Sequence, residues 1–191
     1  MTLRTVAAAL ALVVATAAAA ALKAGDAAPS FTAPASFAGK PFSFSLKDQL
    51  AKGPVVVYFY PSAYTSGCNV QAHEFSTRAE QFAAAGASVI GVSLDSIERL
   101  NAFSADPDYC AGKLAVASDA DGRIARSYGL RVSDKVRGAT DTRGDEIDHG
   151  FAERTTFVVR RDGTIAATVG GVSPEANVAR ALEHVRRLAS R

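Results

Sequence analysis

Short unbroken apolar runs alternate along the chain with segments of helical spacing. Pro54–Tyr60 (PVVVYFY) is β-branched and aromatic throughout, the composition of a strand covered on both faces, and Pro61 closes it. Cys68–Ala85 carries Val70, Phe75, Ala79, Phe82 and Ala83 near a 3.6-residue period and meets Gly86, which predicts one helix. Ser88–Ser93 is a second buried strand, Ser96–Ala105 a helix broken by Asp106-Pro107-Asp108, and Lys113–Ser118 a third strand. A short helix, Ala120–Tyr128, stops at Gly129. Thr155–Arg160 and Thr164–Val169 read as a hairpin across Arg161-Asp162-Gly163. Ser173-Pro174-Glu175 combines a cap, a proline at the first helical position and an acid near the positive end, so a last helix runs to about Ala189.

Upstream, Phe31, Phe37, Phe42 and Phe44 lie among small polar residues around Gly39, the pattern of a β-hairpin, and Leu46–Ala51 is long enough for one or two helical turns. Strand–helix alternation followed by an antiparallel hairpin predicts the α/β class, with a mixed central sheet flanked by helices and an N-terminal β-hairpin extension. No internal repeat is present. Arg131–Glu153 has no apolar period and carries charges of both signs, which suggests either a flexible loop or a lid or partner surface.

Composition adds limits. The chain has 191 residues, 48% of them apolar, enough for one domain with a real core. The net charge of +2 comes from dispersed residues, which argues against nucleic acid as a partner. Arg4, the apolar run Val6–Ala21 and the Ala19-Ala20-Ala21 site read as an export signal over residues 1–21, leaving a single domain over 22–191 that is exported, periplasmic in location and free of the membrane. The competing reading, a membrane anchor, suits the run less well because it is short and alanine-rich. The three histidines, His73, His149 and His184, are scattered, and no Cys/His pair has zinc-ligand spacing, so no zinc site is expected.

There are two cysteines, Cys68 and Cys110. In an oxidising compartment the plain reading of such a pair is a structural disulfide. Against this, Cys68 lies at a strand-to-helix junction, where unpaired helix N–H groups favour a thiolate, and the thiolate is the nucleophilic form of cysteine.

Pro61-Ser-Ala-Tyr-Thr65-Ser-Gly-Cys68 has the form P-x-x-x-T-x-x-C, after a strand and before a helix. With Val89–Asp95 (VIGVSLD), Ser118-Asp119-Ala120-Asp121-Gly122 and Arg154-Thr155-Thr156-Phe157, the chain resembles the alkyl hydroperoxide reductase C/thiol-specific antioxidant family, the peroxiredoxins. Within that family it looks most like the bacterioferritin-comigratory-protein branch. The resemblance runs from the Gly25–Phe31 entry to Gly170-Gly171, and it implies a thioredoxin-like fold. It also implies a peroxidase that reduces hydrogen peroxide or organic hydroperoxides with electrons from a thioredoxin-like or small-thiol reductant, needing no metal or organic cofactor because the sulfur does the chemistry, and acting as a monomer or small homodimer. On this resemblance Cys68 is the nucleophile, Thr65 the hydroxyl beside sulfur and peroxide, Pro61 a wall of the pocket, and Arg154 the cation that steadies the thiolate. One residue departs from the pattern: the glutamate that usually follows three positions after the cysteine is Gln71, an uncharged tether for the arginine.

The resemblance leaves Cys110 open. In the commonest variant of this branch the resolving cysteine lies five residues after the nucleophile, where this chain has His73. In another it lies in the helix after the second strand, where Ser104 stands and Cys110 follows just beyond. Cys110 then resolves a Cys68 sulfenic acid within the chain, bridges two chains, or stands by in a one-cysteine enzyme. A thiol–disulfide oxidoreductase on the same fold would want Cys-x-x-Cys, and a copper-handling module Cys-x-x-x-Cys, but Gln71 and Ala72 occupy those places. An inactive module of the same family is the remaining rival.

Overall fold

The computed structural model describes residues 20–190, so the leader reading falls almost entirely outside the described residues. The elements are β1 (Thr32–Phe37), β2 (Lys40–Ser45), α1 (Leu46–Leu50), β3 (Val55–Phe59), α2 (Ser66–Thr77), α3 (Ala79–Ala84), β4 (Ser88–Ser93), α4 (Ile97–Ala105), β5 (Ala115–Ser118), α5 (Arg123–Ser127), β6 (Thr155–Val159), β7 (Ile165–Gly170) and α6 (Pro174–Ala189). They build one seven-stranded mixed sheet in the order β2-β1-β5-β4-β3-β6-β7. The β1–β2 hairpin turns through Ala38 and Gly39, both at positive φ as a two-residue turn of this twist requires, and adds to the sheet through β1–β5 pairing.

β3 is central, pairing parallel with β4 and antiparallel with β6. Its five residues are all buried, yet they still alternate between the two faces. Val56 and Tyr58 join Phe75 and Phe82 of α2 and α3, Leu100 and Phe103 of α4, and Val178, Ala181 and Val185 of α6. Val55, Val57 and Phe59 face the opposite layer, with Leu46 and Leu50 of α1, Ala125 of α5, Tyr128 and Phe157. Both cysteines belong to the first layer.

The single helix expected over Cys68–Ala85 is two helices in the structure, α2 and α3. The helix expected from Cys68 starts at Ser66, because Thr65 is extended (φ −93°, ψ 147°) and occupies the cap, so Cys68 is the third helical residue. The same helix does not continue to Ala85. Ser76 Oγ and Thr77 Oγ1 donate to the carbonyls of His73 and Glu74, three residues back, at 2.9 and 3.2 Å. These bonds compete with the helical ladder, and the chain leaves helical geometry at Arg78 (φ −103°, ψ 8°) before α3 begins.

The polar segment 131–153 packs down. Val132 pairs with Ala152, Thr140 with Glu146, and Asp141, Ile147 and Ala152 are buried. Its order comes from polar contacts and leaves no apolar period to read.

Candidate active site

Backbone pairing assembles the site. Thr155 lies opposite Phe59 in the β3–β6 ladder, so Arg154, one residue earlier, reaches the end of β3 where Pro61–Thr65 begins. There Arg154 Nη2 stands 3.3 Å from Cys68 Sγ, within hydrogen-bonding distance of a sulfur acceptor. Cys68 is buried, with 2% of its surface exposed. Gly67 makes room for the guanidinium: a Cβ there would lie 3.1 Å from Arg154 Nη2.

Gln71 supplies the tether. Its Oε1 accepts from Arg154 Nη1. Its Nε2 donates to Asn177 Oδ1 at 3.0 Å, and Asn177 is fixed in turn by Thr156 Oγ1 (2.5 Å) and by donation to the Val169 carbonyl (2.9 Å). Gln71 and Asn177 are both fully buried. The uncharged residue therefore forms one link in a line running from the sulfur through Arg154 and Gln71 to α6 and β7.

The loop before the helix is held from beneath. Asp95, fully buried, accepts from Ser62 Oγ (2.9 Å), from the Ala63 N–H (2.8 Å) and from Ser93 Oγ (2.7 Å). Burial alone would raise its carboxyl; bonds and charge from His149, with those from Ser93 and Ala63, hold it below the ordinary aspartate range instead. Arg99 Nη2 donates to the Ala63 carbonyl at 3.0 Å and to Asp141 at 2.7 Å. Tyr64 has φ 61°, rare for a residue with a side chain. Its carbonyl accepts from the Thr142 N–H (2.9 Å) and hydroxyl (2.7 Å), and Arg143 lies 3.3 Å over its ring. These contacts over-determine a strained conformation in the loop that leads into the Cys68 helix. Thr65 Oγ1 donates to the Ser62 carbonyl at 2.9 Å, leaving its lone pairs as acceptors. Pro61 and Arg154, with Val132, Phe151 and Ala152, line an open recess of about 550 Å³.

Cys110 is apart from this polar frame. It is a free thiol, fully buried, and burial together with the charge of Asp106 pushes the thiol strongly upward, toward its neutral form. Its segment is irregular: Ala111 and Gly112 both have positive φ (52° and 66°), and Tyr109 stacks on Phe103 and meets Tyr64 edge-on. His73 Nδ1 lies 3.0 Å from the Asp108 carbonyl, tying this segment to α2. Cys68 is likewise a free thiol.

The structure thus brings Cys68 and Arg154 into contact, with Thr65 and Pro61 on the loop between them. Sequence reasoning missed Asn177, Asp95 as a loop anchor, Arg99, Asp141 and His149. Asn177 had a signal, since it is a polar residue on the buried stripe of α6 that also carries Val178, Ala181, Leu182 and Val185.

Residues 24–168 match the model of the AhpC/TSA family. Peroxiredoxin Bcp of Escherichia coli K12 is 31% identical over 144 residues, covering 75% of this chain and 83% of that protein. Peroxidoxin BcpB of Mycobacterium tuberculosis superposes with a TM-score of 0.73 at 28% identity, over 87% of this chain and 98% of that one. The bacterioferritin comigratory protein of Xanthomonas campestris, at 24% identity over 82% of this chain and 91% of that one, shares the fold with a TM-score of 0.64. A match of this extent, centred on a cysteine held by Arg154, places the chain in the AhpC/TSA family, the peroxiredoxins, on their Bcp-like branch.

Proposed function

We propose that the chain reduces hydrogen peroxide or an organic hydroperoxide at Cys68 and recovers through Cys110. The observation that carries this reading is Arg154 Nη2 at 3.3 Å from Cys68 Sγ. The Cys68 thiolate attacks one peroxide oxygen and the O–O bond breaks. The departing oxygen takes a proton and leaves as water or an alcohol, and Cys68 becomes a sulfenic acid. Charge grows on the departing oxygen, and the donors around it, Arg154 and the first N–H groups of α2, are fixed before the reaction begins. Thr65 accepts from the peroxide hydroxyl, and Pro61 keeps the loop from relaxing.

Cys110 then attacks the sulfenic sulfur, expelling water and forming a disulfide, which an external dithiol reduces while being oxidised itself. A disulfide needs Cα atoms about 4.4–6.8 Å apart. Opening of the irregular 106–112 segment supplies that approach and exposes a thiol whose burial keeps it neutral at rest. The leader over residues 1–21 makes the enzyme an exported one, with a thioredoxin-like partner in the periplasm.

The test is non-reducing peptide mapping after one equivalent of peroxide. A Cys68–Cys110 bridge within one chain is expected. Cys68 as sulfenic or sulfinic acid beside a free Cys110 thiol would make the enzyme one-cysteine and remove the second half of the mechanism.

A further inference from the structure

His149 stands in the 131–153 segment with both ring nitrogens engaged. Nδ1 is 2.7 Å from the Gly150 carbonyl, and Nε2 is 2.9 Å from Asp95 Oδ1 and 3.5 Å from Ser62 Oγ. The carbonyl is an acceptor only. Asp95 already accepts from Ser62, Ser93 and Ala63, and Ser62 spends its hydroxyl hydrogen on Asp95. A neutral imidazole carries one N–H and would turn a lone pair toward one of these oxygens; the imidazolium carries two and satisfies both. From this geometry we propose that the His149 imidazolium is a positioning residue for peroxide reduction: through Asp95 it fixes Ser62 and Ala63, and with them the loop that presents Thr65 to the Cys68 sulfur.

The inference rests on the peroxidase reading and adds to it a charge requirement at a residue that does not touch the sulfur. The surroundings are consistent with a charged ring. Asp95, at the end of β4, faces it directly, and Asp148 adds a second negative charge from its own segment. Arg99 of α4 is a cation on the same carboxylate oxygen, 2.9 Å from Asp95 Oδ1, and opposes the ring charge; its second nitrogen lies 2.7 Å from Asp141, which also holds Arg143, and Arg143 has Asp145 besides. Burial would lower the His149 pKa; the bond and charge of Asp95, with the Gly150 carbonyl, outweigh this and raise it above the ordinary histidine value. With a folded pKa above the unfolded one, the stabilisation is complete at acidic pH. It is lost as pH rises through that raised value.

The test follows first-turnover peroxide reduction against pH in the wild type and in His149→Gln, beside an NMR titration of the imidazoles. His149 is assigned by the signal missing from the variant. The expected wild-type profile falls on its alkaline side by about tenfold, at the pH where the His149 signal titrates. In His149→Gln that fall is absent and the rate below it is already reduced. A His149 ring that is neutral at mildly acidic pH, or an alkaline fall that persists unchanged in His149→Gln, would overturn the proposal. Failure of the peroxidase reading is separate: the wild type would then reduce no peroxide at any pH. If His149→Gln does not fold, His149 is assigned as the signal that remains in His73→Gln and in His184→Gln; Asp95→Asn then reads the same coupling by shifting that titration downward, and an unmoved titration contradicts it.

Discussion

Replacing Gln71 with Met removes the tether of Arg154 while nearly keeping volume in a fully buried place. Arg154 then has two options. It can stay, with Nη1 unpaired, at a cost of about 1–3 kcal/mol. Or it can swing into the recess it lines beside Pro61, which relieves that cost but abandons the sulfur. Asn177 keeps its bonds to Thr156 and Val169, so the lost Gln71 bond adds only about 0.5–1.5 kcal/mol. Leaving the resting Cys68 thiol gives up an ordinary bond of about 0.5–1.5 kcal/mol, less than an unpaired Nη1 costs, so Arg154 swings, and with the Asn177 loss stability should fall by about 1–3 kcal/mol. The sulfur loses a charge-assisted bond worth about 1.5–3 kcal/mol, so first-turnover peroxide reduction at neutral pH should slow by about 10- to 100-fold. Stopped-flow rates for Gln71→Met, Arg154→Gln and the double variant decide whether Gln71 works through Arg154. If it does, the double variant is no slower than Arg154→Gln alone. Losses that multiply in the double variant, or a Gln71→Met rate within twofold of wild type, would refute the tether.

Two further outcomes follow from the same geometry. His73→Ala removes the bond to the Asp108 carbonyl, worth about 0.5–1 kcal/mol; timed alkylation should show the Cys68–Cys110 disulfide forming about two- to fivefold faster with the first step unchanged, and an unaltered rate would mean that this contact does not hold the segment shut. Gly67→Ala gains about 1 kcal/mol of helix propensity but sets a Cβ 3.1 Å from Arg154 Nη2, so the melting temperature should rise while peroxide reduction slows about fivefold; a faster enzyme would show that Arg154 is not confined there.

Much of this arrangement could be read from local sequence. The V-V-V-Y-F run stated a central strand, and Thr155-Thr156-Phe157 marked the strand that carries Arg154 to the end of it. The break at Arg78 was not legible, since Ser76 and Thr77 disturb the helix only by bonding back to His73 and Glu74 inside an otherwise regular apolar period. The line from Gln71 to Asn177 joins residues 106 positions apart, and only tertiary folding reveals it. The same holds for Asp95 and His149, 54 positions apart. Segment 131–153 misled for a related reason. Apolar periodicity reports burial of apolar faces, whereas this segment is anchored by Asp141, Thr142 and His149 through polar bonds to the loop and helix beneath it.

The central claim is that the Cys68 sulfur performs the reduction. Reduced wild-type protein and Cys68→Ser are each given one equivalent of hydrogen peroxide, and the peroxide remaining is measured against time, with sulfenic acid trapped by a dimedone-type reagent. Wild type should consume one equivalent, and a Cys110→Ser variant treated alike should carry the trapped adduct on Cys68. Cys68→Ser should consume none above the uncatalysed rate, because a serine hydroxyl stays protonated near neutrality. Peroxide consumption by Cys68→Ser at the wild-type rate, or an adduct found on Cys110 in place of Cys68, would contradict the account.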